Sequence, residues 1–204
     1  TFAPANDSVG EGAGSFSKPV TLTLTANGVG TASLQDAIVV PVSFTEGTAT
    51  EPEDFTLATA SVTFAAGSLN GAAQNATANL INDLISEPSE SFDLNLGNAF
   101  VTPNITLGRS VTAVQILDND TPGVTITQSA GTTAVTEGGA TDDYSIVLTS
   151  QPTSDVTITP NPGSQLSVAP TPLTFTTANW NVAQTVTVTA VDDAVAEGSH
   201  NGTI

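Results

Sequence analysis

Cysteine and methionine are absent from this 204-residue chain, and lysine and arginine together number two, Lys18 and Arg109. The first absence excludes disulfides, zinc–thiolate sites and thiol catalysis. The second leaves no basic surface for nucleic acid or an anionic membrane, so neither partner is expected. Aromatic residues make up 5 % of the chain, with one Trp and one Tyr. A glycosidase built on paired carboxylates would lack the ring platforms that usually hold its sugar. The single histidine, His200, lies near the chain end and a Ser-His-Asp triad is not expected, and no phosphate loop or dinucleotide fingerprint occurs. No apolar run approaches the roughly 20 residues of a membrane span, and Thr1 does not open a signal peptide. If the protein is exported, these residues are a mature or excised segment. An enzyme is not expected.

What is present is acid and threonine. Twenty Asp and Glu residues give a formal charge of −18. Apolar and polar residues alternate with a period of two in Val20–Thr25, Val39–Phe44, Phe92–Leu96, Val124–Thr127 and Val186–Val191, the pattern of strands with one buried face. Gly, Pro, Asn and Asp punctuate the gaps, as turns require. Many short strands between turns predict antiparallel β-sandwiches. Phe44, Phe55, Phe64, Phe92 and Phe175 are expected as core anchors, and Trp180 as a ring packed over a second core or beneath a loop, not as a sugar platform.

Thr121-Pro122-Gly123 marks the best domain boundary, since Pro lacks an amide donor and Gly tolerates unusual dihedrals. The segments on either side repeat. Val9-Gly-Glu11-Gly12 matches Val135-Thr-Glu137-Gly138, Val62-Thr-Phe64 matches Leu173-Thr-Phe175, and Ile81-Asn-Asp83 with Glu87 matches Val191-Asp-Asp193 with Glu197. Two tandem domains are therefore expected, residues 1–121 and 122–204.

The acids cluster where strands end: Glu11, Glu53-Asp54, Asp83 with Glu87 and Glu90, and Asp118-Asn-Asp120. Strand ends converge at the pole of a sandwich, and carboxylates brought together there repel by about 4 kcal/mol per pair at 4 Å with an effective dielectric near 20. A cation is needed among them, and the chain supplies almost none. Calcium, which takes six to eight oxygens in tolerant geometry, suits such loops better than magnesium.

These residues in this order resemble the Calx-β domain family, known from sodium–calcium exchangers, integrin β4 and many bacterial and cyanobacterial surface proteins. The resemblance rests on Glu11-Gly12, Gly47-Thr-Ala-Thr50 leading to Asp54-Phe55, Val62-Thr-Phe64, Ile81-Asn-Asp83, the Glu87-to-Phe92 stretch and Leu117-Asp-Asn-Asp120. It implies an immunoglobulin-like seven-stranded sandwich whose pole binds calcium through Glu11, Asp54, Asp83, Glu87, Asp118 and Asp120, with Glu53 and Glu90 as further ligands. Asn82 stands where calcium-sensing members often carry Asp, which implies fewer or weaker ions.

The second unit is similar to the same superfamily through Glu137, Asp192, Asp193 and Glu197. No Asp occupies the region equivalent to Asp54, where Ser164-Gln165 lies instead, and Asp142-Asp143 either compensates or forms a polar turn. Aligning Glu87 with Glu197 sets Ile204 at the equivalent of Leu94, inside the penultimate strand, so the second sandwich is expected to lack its final strand. Strand addition by a neighbouring repeat or an identical subunit would supply it, with Thr1–Ser8 as a candidate donor. The expected function is a non-enzymatic, calcium-rigidified module of a secreted or cell-surface protein, such as an adhesin, matrix component or fibre, with calcium stiffening strand-end loops and the interdomain junction. A calcium-sensing domain pair is the alternative. A glycan-binding accessory module or a strand-exchanging filament subunit ranks behind it.

Overall fold

The computed structural model describes residues 1–3, 6–26, 30–98, 106–196 and 198–204. It is all-β, and among the described residues no helix is long and apolar enough to cross a membrane. The chain divides into two compact units, Thr1–Asp83 with Glu87–Asn119, and Leu84–Ser86 with Asp120–Ile204.

The first unit is a sandwich of strands β1 (Asn6–Gly10), β2 (Ser15–Thr21), β3 (Ile38–Glu46), β4 (Phe55–Leu57), β5 (Ser61–Phe64), β6 (Ala73–Leu80), β7 (Glu90–Leu96) and β8 (Val111–Leu117). One sheet runs β1-β8-β7-β3-β5 and the other β2-β6-β4. Every pair is antiparallel except β1 with β8, which run in parallel from Asn6↔Ala113 to Gly10↔Leu117. That exception carries the ends of both strands, and hence Glu11 and Asp118, to the same pole. The expected Val20–Thr25 strand begins earlier and ends at Thr21. Its inward residues are Phe16, Lys18 and Val20.

Inward alternation builds the core. Phe55, Phe92, Leu94 and Val114 are almost wholly buried, each worth about 1.5–3 kcal/mol of apolar transfer. Phe55 stacks on Phe92 with centroids 3.9 Å apart, and Phe44, half-buried, meets Phe55 edge-on at 5.1 Å. Phe64 is buried as expected, and so are Phe2 and Phe16.

The second unit holds β9 (Val124–Gln128), β10 (Asp142–Leu148), β11 (Val156–Ile158), β12 (Leu166–Ala169), β13 (Leu173–Phe175) and β14 (Gln184–Ala190). Its sheets run β12-β14-β10-β9 and β11-β13. The internal repeat appears in the pairings: β10 takes the part of β2, β11 of β3, β12 of β4, β13 of β5 and β14 of β6. Phe175, Val186 and Val188 fill this core, and Trp180 packs in it with 9 % exposure, as a core ring rather than a platform.

Two expectations fail here. Residues 198–204 form no strand, although their alignment places them in the equivalent of β7. In the first unit β7 is hydrogen-bonded on both sides, by β3 and β8, and residues 198–204 have no such flanking pair among the described residues. Thr1–Ser8 is no free donor strand. Phe2 is buried and bridged to Val20, its N–H donates to the Arg109 carbonyl at 3.0 Å, and Asn6–Gly10 pairs with β8. Its described residues are taken up by their own sandwich.

Candidate metal centre

Four of the acids at the pole of the first unit follow or precede a buried residue. Asp54 precedes Phe55, Glu90 lies two residues before Phe92, Asp118 two after Ile116, and Asp83 three after Leu80, all of them buried. The Phe55–Phe92 stack therefore fixes the spacing between the Asp54 and Glu90 loops. The Gly47-Thr-Ala-Thr50 segment is wedged beside β7: a Cβ on Gly47 would lie 2.4 Å from the Ser91 carbonyl, which accepts the Ala49 N–H at 3.0 Å. Thr50 then caps the next turn, its N–H donating to Asp54 Oδ2 at 2.7 Å and its hydroxyl at 3.2 Å.

Two groups of carboxylates result. Glu11, Asp118 and Asp120, all half-buried, offer oxygens within 4.8 Å of one another, and so do Asp54, Glu87 and Glu90. Glu11, Asp54, Glu87, Glu90 and Asp118 line one concavity with Ile81, Pro88 and Ile116. No Lys or Arg is among its walls. Asp83 joins through its backbone, its N–H donating to Glu11 Oε1 at 2.7 Å, and the Glu87 N–H donates to Asp118 Oδ2 at 3.0 Å.

The electrostatics follow from this crowding. Burial and the Asp54 carboxylate push Glu90 up to about 7, through a side-chain hydrogen bond with Asp54 and repulsion from Asp54, Glu87 and Glu11. Burial, then the charges of Asp83, Asp54, Glu11 and Asp118, raise Glu87.

Glu53 is not brought in. It is exposed, and its described partner is the Thr50 hydroxyl at 3.5 Å. It lies inside the Thr50–Asp54 turn, whose hydrogen bonds from Thr50 hold Asp54 Oδ2. Glu90, ranked second by sequence, belongs to the centre instead. Sequence reasoning missed Thr50, as well as Asn119, whose Nδ2 donates to Asn82 Oδ1 at 3.0 Å beside Gly12. Both are polar residues inside the acid motifs, and that was the available signal.

The second unit repeats the scaffold without the charge. Asp193 N–H donates to Glu137 Oε1 at 2.7 Å, as Asp83 does to Glu11. Val191 N–H donates to the Gln165 carbonyl at 2.9 Å, as Ile81 does to that of Asp54. Gln165 thus occupies the Asp54 position, and a neutral amide replaces a carboxylate. Asp192 lies against Gly138, 3.4 Å from where a Cβ would be. Asp142 is held as a turn acceptor by the Ser129 hydroxyl and by the Ala134 and Asp143 N–H groups at 2.7 and 2.8 Å, and these bonds lower its pKa. It does not compensate for the absent Asp. Glu197 lies outside the described residues. Among the described residues, Glu137, Asp192 and Asp193 do not gather into a three-carboxylate group.

The Calx-beta domain profile matches residues 1–120. The chain belongs to the Calx-beta domain family. Among solved structures, this Calx-beta chain is similar to the apo-form Calx CBD1 domain at 24 % identity and TM-score 0.48, covering 58 % of this chain and 95 % of that one. It is also similar to the calcium binding domain CBD12 of CALX1.1, at 20 % identity and TM-score 0.49, covering 91 % and 73 %. CBD12 from CALX1.2 shows 18 % identity and TM-score 0.49, covering 95 % and 75 %. No curated protein sequence matches the chain.

Proposed function

We propose that the pole of the first unit binds calcium and that the chain is a non-enzymatic, calcium-rigidified structural module of an extracellular or cell-surface protein. One observation carries this reading. Carboxylates from four separated stretches of sequence meet in two groups within 4.8 Å, with no Lys or Arg among the residues that line their concavity. Oxygens on opposite sides of a calcium shell of 2.3–2.6 Å radius lie about 5 Å apart, so the spacing suits that ion. The all-oxygen donor set is that of a hard cation and not of zinc or copper. Glu11, Asp118 and Asp120 would hold one ion and Asp54, Glu87 and Glu90 another.

Bound calcium would supply positive charge and multidentate attachment, which ties the strand-end loops together. The protein's part is to keep the carboxylates converged without it: the aromatic stack spaces Asp54 and Glu90, and the Glu11–Asp83 bond joins the entry of β2 to the exit of β6. A rigid, preassembled pole of this kind favours a structural role, and millimolar extracellular calcium matches the affinity range of such modules. A calorimetric titration of the intact chain with calcium, run beside a thermal melt in chelator, tests the reading. Saturable binding and a lower melting temperature in chelator are expected. A flat titration with an unchanged melt refutes it.

A further inference from the structure

We propose that Lys18, ion-paired with Asp7, is the positioning residue that sets β1 and thereby Glu11 at the acidic pole. Lys18 is one of only two Lys or Arg residues in the chain, and it is spent in the interior: its side chain is 5 % exposed, on the inward face of β2 between Phe16 and Val20. Its ammonium donates to Asp7 Oδ2. Asp7 lies on the inward face of β1 in register with Val114, so the pair joins the three-stranded sheet to the five-stranded one.

A buried cation is costly unless paired, and so is the carboxylate left behind if it is removed. An apolar residue at position 18 would fill this alternating pattern as Phe16 and Val20 do. The charge therefore has a reason other than packing. Among the described residues β1 is an edge strand whose one neighbour in its sheet is β8, and it is five residues long. Its ladder pairs it with β8, and Asp7–Lys18 is a polar tie across the sandwich. Glu11 follows directly from β1 at Gly10 and depends on that strand for its place beside Asp118 and for accepting the Asp83 N–H. Lys18 acts on the pole through β1, without touching the carboxylates that line it.

The proposal rests in part on the calcium reading above, so the experiment carries two separate readouts. Hydrogen exchange of the Asn6–Gly10 amides is measured in chelator, and calcium affinity by calorimetry, for the intact chain and for Lys18→Met, Asp7→Asn and the Lys18→Met/Asp7→Leu double variant. Lys18→Met should speed exchange at Asn6–Gly10 at least tenfold more than at β6 and weaken calcium binding about tenfold. The double variant, which removes both charges and refills the space, should restore both within about threefold. Native exchange and affinity in Lys18→Met overturn the proposal. So does a uniform loss of protection across all strands, which would make Lys18 a general core residue. An unmodified chain that binds no calcium sinks the function proposed above, and the exchange comparison then still decides whether Lys18 sets β1.

Discussion

Replacing Glu90 with Gln removes one charge from the most crowded part of the pole while keeping the side chain's size and its capacity to donate to Asp54. Two unit charges 4.8 Å apart repel by about 3.5 kcal/mol at an effective dielectric of 20. Glu90 is only half-buried, and solvent screening reduces the relief to about 1 kcal/mol. For a unit of this size that is a shift of about 4 °C in melting temperature. Glu90→Gln should therefore melt about 4 °C above the parent in chelator at pH 8, where the parental Glu90 is ionised. At pH 5 it is protonated, since burial and Asp54 hold it up to about 7, and the two proteins should then melt together. In saturating calcium the order should reverse, because the variant has lost a charged ligand and about tenfold in affinity. Differential scanning calorimetry at two pH values, with calcium and with chelator, gives all four comparisons. A Glu90→Gln variant less stable than the parent in chelator at pH 8 would refute the reasoning, because it would mean that the ionised carboxylate was stabilising on its own.

The raised Glu90 and Glu87 pKa values fix a sign for the whole chain. Their folded-state values lie above the ordinary 4.5, so their contribution to stability is complete below that value and is lost as pH rises, for Glu90 through about 7. Urea melts in chelator should show the first unit weaker at pH 8 than at pH 5, and calcium should remove the difference. At calcium a thousandfold above its dissociation constant, folded stability should gain about 4 kcal/mol, measurable as a rise in the urea midpoint, with magnesium giving a smaller rise at equal concentration. Phe55→Ala should cost about 3–5 kcal/mol and, by loosening the stack with Phe92, weaken calcium binding as well, which a paired melt and titration would reveal. Glu137→Ala removes the acceptor of the Asp193 N–H and should cost the second unit about 1 kcal/mol while leaving calcium stoichiometry unchanged in a titration.

Strand-end acids were the readable part of the site. Alternation in Phe92–Leu96 or Val111–Leu117 says which residues point inward and where each strand ends, and acids just beyond a strand end emerge at a pole. That logic gathers Glu11, Asp54, Asp83, Glu87 and Asp118 without any coordinates. It does not separate Glu53 from Asp54, because which of two adjacent carboxylates turns inward depends on the Thr50 hydrogen bonds and the close approach of Gly47 to Ser91. Nor does it rank Glu90, whose placement is set by its pairing with Ile116 across β7 and β8. The parallel course of β1 was hidden for a related reason: alternation records which face a strand buries, not the direction of its neighbour. Lys18 was legible and passed over, since it holds an inward position between Phe16 and Val20 in a run whose parity is clear. In the second unit the motif Val191-Asp-Asp193 was read correctly as a repeat, yet Gln165 shows that the scaffold and the charge it carries are inherited separately.

The parallel alignment of β1 and β8 has a mechanical consequence. β1 enters from the end of the unit opposite the acidic pole, whereas β8 leaves toward that pole at Leu117. Tension applied through the chain on either side would pull the two strands past each other lengthwise. All five registered pairs from Asn6 to Gly10 would then bear the load in shear at once, instead of parting one by one like a zip. A divalent ion bridging Glu11 to Asp118 would sit at the tip of that sliding pair and act as its rivet.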